Sequence, residues 1–229
     1  PISTGCSQLR ICKTGMHSLG FEGSQAGNIV LNATRGVTVG SSSRIENNVD
    51  VSAVGDAGKV EINSDTLQVV DGSQLSSSTR GEGAAGNIII NVAERVVFDI
   101  TSADGQGVSF ALSNVSSGGI GDGGNIEITT NSLEVRNGAL LSSSTLGEGS
   151  AGNIIIDAKE SVIFDGASAD NSSISSAGSI VVSGGVGNGG NIEITTSSLE
   201  VTNGAGLSSS TFGEGSAGNI IINAGQRVV

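Results

Sequence analysis

Apolar and polar residues alternate in short runs along most of this chain. In Asn125-Ile126-Glu127-Ile128-Thr129 and again in Asn191-Ile192-Glu193-Ile194-Thr195, the period of two turns both Ile side chains to one face and Glu to the other. That is the signature of a half-buried strand. A second run follows at once: Ser132-Leu133-Glu134-Val135, matched elsewhere by Ser161-Val162-Ile163-Phe164. Next come the dipeptides Asp71-Gly72, Asn137-Gly138, Asp165-Gly166 and Asn203-Gly204, which tolerate the positive φ of tight turns. A third run carries Leu75, Leu141 or Leu207 and then Ser-Ser-Ser-Thr, after which a Gly-Glu-Gly loop returns the chain to its starting pattern.

The pattern is a repeat. Its starting dipeptide recurs at Gly27, Gly58, Gly86, Gly124, Gly152, Gly190 and Gly218, so the spacings are 31, 28, 38, 28, 38 and 28 residues. A short unit alternates with a long one, and the pair makes a 66-residue super-repeat. Aligning residues 121–163 on 187–229 leaves ten differences in 43 positions, which marks a duplication. Three short strands per unit describe one coil of a solenoid, whose apolar face is buried only by stacking on its neighbours. Parallel pairing at about 4.8 Å per coil makes roughly seven coils a rod on the order of 30 Å long. Crossovers between parallel strands are overwhelmingly right-handed, so the expected fold is all-β, a right-handed parallel β-helix over residues 21–229. Residues 1–20 are expected to be irregular, and both ends to be truncations of something longer. The ten additional residues of the long units are expected after the second strand, in Ile100 to Phe110 and Ala167 to Ile174. Outward positions alternate too: Glu61, Glu127 and Glu193 in one set of coils, Ile89, Ile155 and Ile221 in the other. Like charges then lie about 9.6 Å apart, two coils away.

Composition agrees. The chain has 37 Gly, no Trp, no Tyr and one Pro, so its core must be assembled from small aliphatic residues rather than aromatic blocks. The formal charge of −12 disfavours nucleic acid and anionic membranes, which require Lys/Arg clusters. No run of 18 apolar residues occurs, so no helical span is expected, and residues 1–20 contain no signal-peptide core. Cys6 and Cys12 allow a local disulfide. His17 could join them in a metal site, but no further His or Cys exists to complete the usual set.

The run Ser142-Ser143-Ser144-Thr145-Leu146-Gly147-Glu148-Gly149-Ser150-Ala151-Gly152-Asn153-Ile154 and its copies resemble the passenger repeats of filamentous-haemagglutinin-type two-partner secretion exoproteins, in the Gly-Asn-Ile-rich form common in cyanobacteria. The resemblance covers residues 21–229. It implies a β-helix exported through an outer-membrane two-partner secretion transporter and displayed at or released from the cell surface. Surface glycans or other cells are the targets such an adhesin would meet. The Asn-rich secretion domain of that family has no counterpart in this sequence.

Candidate chemistry is thin. Enzymes built on β-helices need one unique cluster of carboxylates with Arg or Lys. Here the acids repeat at fixed stations instead: Glu82, Glu148 and Glu214 in a loop, Glu61, Glu127 and Glu193 in a strand. That is the mark of solvated surface. A Ser-His-Asp arrangement has only His17 to draw on, so neither a catalytic site nor a cofactor is expected. Gly118-Gly119-Ile120-Gly121-Asp122 approximates a Ca²⁺-binding nonapeptide, yet its copy at Gly184 to Asn188 has lost the Asp. The Gly-rich loops precede no helix and carry no Gly-Lys-Ser/Thr, so they do not cradle phosphate. Asn28, Asn87, Asn125, Asn153, Asn191 and Asn219 are expected to stack as a structural Asn ladder along the rod. The expected function is a non-catalytic structural or adhesive stalk. The alternatives are the scaffold of a carbohydrate-active β-helix enzyme, or a weak Ca²⁺- or ice-binding module using the Ser-Ser-Ser-Thr rows.

Overall fold

The computed structural model describes residues 5–12, 15–17, 26–100 and 107–229. Its long strands are β1 (Gly5–Cys12), β3 (Ile29–Gly40), β5 (Val60–Val70), β7 (Ile88–Asp99), β9 (Ile126–Arg136), β11 (Ile154–Asp165), β13 (Ile192–Thr202) and β15 (Ile220–Val228). Between them lie three-residue strands β2 (Gly15–His17), β4 (Arg44–Glu46), β6 (Gln74–Ser76), β8 (Phe110–Leu112), β10 (Leu140–Ser142), β12 (Ser176–Gly178) and β14 (Gly206–Ser208). The odd-numbered strands form one eight-stranded sheet in chain order. The even-numbered strands form a second sheet of seven. Each strand pairs in parallel with its counterpart one coil away, as in Ile126↔Ile154↔Ile192. The fold is a parallel β-helix.

Alternation explains the core. Ile126, Ile128, Leu133, Val135 and Leu141 are fully buried, as are Ile154, Ile156, Val162 and Phe164 one coil further. Corresponding residues of β3 to β13 join them in one continuous cluster. Burying each Ile or Leu stabilises by about 1.5–3 kcal/mol, and no single coil encloses enough of them to stand alone. Glu127 and Ile155 lie half-exposed on the outer face.

Three features differ from the sequence expectation. First, the two leading strands of each coil are one continuous strand with a bulge. In β11, Lys159 and Glu160 occupy the space of Asn131 in β9, because Ala158 pairs with Thr130 and Ser161 with Ser132. Two residues facing one is how a bulge bends a strand without ending it. The third side of each coil carries isolated parallel bridges instead of a strand, such as Thr79↔Val115↔Thr145↔Val181.

Second, the ten additional residues are divided. One sits in this bulge, seven lie between β11 and β12, and two lie on the third side between Val181 and Val186, which bridge Thr145 and Glu148. Ala167 and Ile174 close the larger insertion with an antiparallel bridge. Of the corresponding insertion at Ile100 to Phe110, residues 101–106 lie outside the described residues.

Third, the segment expected to be irregular contains β1 and β2. Leu9 and Ile11 take the register positions of Val37 and Val39, and β2 pairs with β4. This first coil has the alternation but lacks the Gly-Asn-Ile motif that marks the others. Cys6 and Cys12 are six residues apart within β1. At about 3.3 Å per residue their Cα atoms are on the order of 20 Å apart, well beyond the reach of roughly 7 Å for a disulfide.

Because Ile128 faces a closed apolar interior, Ile128→Asp is expected to destabilise by several kcal/mol through burial of an unpaired charge. The outward Glu127→Gln is expected to change stability by less than about 0.5 kcal/mol. Chemical denaturation of both variants checks the assignment of faces, and equal effects would refute it.

Candidate functional surface

Each coil is joined to the next by side-chain ladders. Asn28 Oδ1 accepts from the Lys59 N–H at 2.9 Å. The Oδ1 atoms of Asn87, Asn125, Asn153 and Asn191 accept from the backbone N–H of Asn125, Asn153, Asn191 and Asn219, at 2.7–2.9 Å. The six Asn residues thus lie in one row at the entry to the long strands, and their amides bond mainly to backbone. Lys59 interrupts the row, and its ammonium pairs with Glu61 at 2.5 Å. Side-chain amides stack directly at a station that sequence reasoning missed. There Asn63 donates to Asn32 at 2.8 Å and Asn91 to Asn63 at 3.0 Å. The signal was available in the Asn at the fourth strand position of three successive coils.

The Gly before each Asn is required by contact. A Cβ on Gly124 would lie 2.3 Å from the Gly86 carbonyl oxygen, and one on Gly152 2.3 Å from that of Gly124. The middle Ser of Ser-Ser-Ser-Thr points to the same place. Ser77, Ser143 and Ser209 donate to the carbonyls of Gly58, Gly124 and Gly190 at 2.7–2.8 Å. Ser113 and Ser179 do so to Gly86 and Gly152 in the long coils, and Asn47 Nδ2 to Gly27. These hydroxyls are inside the rod. Ser76 to Thr79 and Ser142 to Thr145 are buried, so in those coils they form no exposed hydroxyl array of the kind an ice-binding surface requires.

Asp122, the lone acid of the Ca²⁺-like motif, accepts from the Ser150 N–H at 2.9 Å. Asn188 and Asp56 do the same for Ser216 and Ala84. The station calls for an acceptor, and Asn supplies one as well as Asp, which explains the substitution in the copy. No group of three His, Cys, Asp or Glu is disposed to hold a metal ion among the described residues.

The outer surface is banded. Along the first half of the large sheet the outward row reads Val30, Glu61, Ile89, Glu127, Ile155, Glu193, Ile221. Along its second half it reads Gln68, Val97, Glu134, Ile163, Glu200. On the third side it reads Val54, Glu82, Ile120, Glu148, Val186, Glu214. The last two acidic coils place Glu in all three rows, and the two long coils, one before and one between them, place an aliphatic residue. Arginine answers the second row: Glu134 lies 2.7 Å from Arg95 and 2.6 Å from Arg136 Nε, whose N–H points off the hydrogen-bond line, and Glu200 lies 3.3 Å from Arg227. Glu82, Glu148 and Glu214 on the third side have no such partner among the described residues.

The insertion between β11 and β12 is organised by Asp170. Its carboxylate is held down to about 2 by hydrogen bonds from the Ser168 hydroxyl, then the Ser172 N–H and hydroxyl. No protein-family model, curated protein or solved structure matches this chain.

Two outcomes follow from these contacts. Ser143→Ala is expected to cost about 1–3 kcal/mol by removing the donor from the buried Gly124 carbonyl, measured by urea denaturation. Asp170 has a depressed pKa, so its contribution to loop order is present above the ordinary carboxylate range and is lost as pH falls toward 2. Carboxyl ¹³C chemical shifts followed through acid should show Asp170 still ionised where an unperturbed Asp at about 3.9 has titrated.

Proposed function

We propose that this chain is a section of a non-catalytic stalk carried by a secreted or cell-surface exoprotein of the filamentous-haemagglutinin type. The observation that carries the reading is repetition of the bonding itself. The same Asn-to-backbone and Ser-to-Gly hydrogen bonds recur from coil to coil, and the acids recur at fixed stations. An enzyme concentrates chemistry at one unique place. A spacer distributes contacts evenly, because its task is length and stiffness, and a repeated surface also suits weak multivalent adhesion. The sequence resemblance supports export through an outer-membrane two-partner secretion transporter, with glycans or other cells as the surfaces met. The acid stations, evenly spread and answered in part by Arg, argue against a carbohydrate-active site.

A stalk should lengthen by whole super-repeats. Inserting a second copy of residues 124–189 is expected to extend the rod by two rungs, about 9.6 Å, with cooperative unfolding retained. Small-angle X-ray scattering and thermal melts check this. Loss of the extended shape on insertion, or cleavage of an acidic polysaccharide by the purified chain, would overturn the reading.

A further inference from the structure

We propose that the third side of the rod, from Ile120 to Glu214, is a docking face for a cationic amphipathic helix. The inference rests on the stalk reading and names the face through which such a stalk would hold a partner.

Exposed large apolar residues gather on this side. Ile120 and Val186 are 48% and 45% exposed in the row that also carries Glu148 and Glu214. In the adjacent column, just after the bridge residue Thr145, Leu146 is 38% exposed, and Phe212 occupies the same station two coils on. The half-exposed Val182 lies between them in the same column. Clustered apolar side chains rimmed by charge mark an interaction surface rather than scattered exposure.

Charge selects the partner. Among the described residues Glu148 and Glu214 stand on this face without an ion pair, unlike Glu134 and Glu200 on the neighbouring face. Arg80 is the one cation in the adjacent column among the described residues, and it lies one rung before Ile120, outside the face. With a chain charge of −12, a second copy or any anionic partner is repelled. A cationic one is attracted.

The backbone selects the shape. The N–H groups of Leu146, Glu148, Val182, Val186, Phe212 and Glu214 all donate to the preceding coil at 2.7–2.9 Å. An added strand would find those donors taken, so the face offers side chains only. Glu148 and Glu214 lie two rungs apart, about 9.6 Å. Seven residues of helix rise about 10.5 Å, so Lys at i and i+7 meets both acids while Leu at i+3 and i+4 meets the apolar residues between them.

The test uses the full chain and a synthetic 18-residue helical peptide with Lys at positions 1, 8 and 15 and Leu at 4, 5, 11 and 12. Binding is measured by calorimetry at two salt concentrations. Affinity should fall with salt, by about fivefold in Glu148→Gln/Glu214→Gln and by about tenfold in Ile120→Ser/Leu146→Ser. Glu127→Gln/Glu193→Gln, on another face, should leave it within about twofold. Absence of binding overturns the proposal, as does equal binding of a peptide with Glu in place of Lys or with Gln in place of Leu. Indifference to the Ile120/Leu146 pair overturns it as well. Scattering on the same samples keeps the two readings apart: an extended rod that binds no peptide sinks the docking face and leaves the stalk.

Discussion

Everything in this molecule depends on translation by one rung. A parallel ladder sets each residue about 4.8 Å from its counterpart in the next coil, so whatever stands at a station must tolerate its own kind or an assigned alternate as a neighbour. Apolar residues tolerate it inside, where Ile stacks on Ile from β7 to β13. Asn tolerates it because its Oδ1 accepts the N–H above it. Gly is demanded where the carbonyl of the coil below leaves no room for a Cβ. Carboxylates tolerate it least, and in the three outward rows Glu is placed on every second coil with aliphatic side chains between.

The buried hydroxyls show how the rod closes its third side without a strand. A Gly-rich corner brings a carbonyl inward, and an unsatisfied buried carbonyl costs about 1–3 kcal/mol. Ser143 and its equivalents meet that carbonyl from across the coil. Gly and Ser, nineteen residues apart in the short coils, therefore act as one device. The long coils keep it with Ser113 and Ser179, which reach Gly86 and Gly152 of their own coils across twenty-seven residues, because the bulge and the insertion after the long strand come before the Ser.

The strand pattern, the parallel stacking and the outward alternation were all legible in the sequence, because period-two alternation and fixed spacing are direct consequences of the rung. Less legible were features that depend on how the coil bends. Lys159-Glu160 in β11 occupies the space of one residue, which alternation alone does not show, since the phase is restored after the bulge. Ser143 carries no periodic signal of its own among three identical Ser, so its inward aim could not be told from its neighbours'. The first coil was missed because β1 keeps the alternation at Leu9 and Ile11 but not the motif used to count coils. The surface face from Ile120 to Glu214 was hidden for a related reason: its residues are adjacent only through bridges on the side without strands.

The alternation of acidic and aliphatic coils has a consequence for folding fidelity. Near-identical repeats invite mispairing, because a coil can dock on a distant copy of itself at little loss of core packing. If one coil were skipped, Glu127 would fall beside Glu193 and Glu148 beside Glu214, with about one rung between like charges. If two were skipped, the alternation would be restored and the charges would raise no objection. The banding therefore acts as a parity check on assembly. It rejects odd errors and is blind to even ones, so the misfolded species to expect are those that omit a full super-repeat.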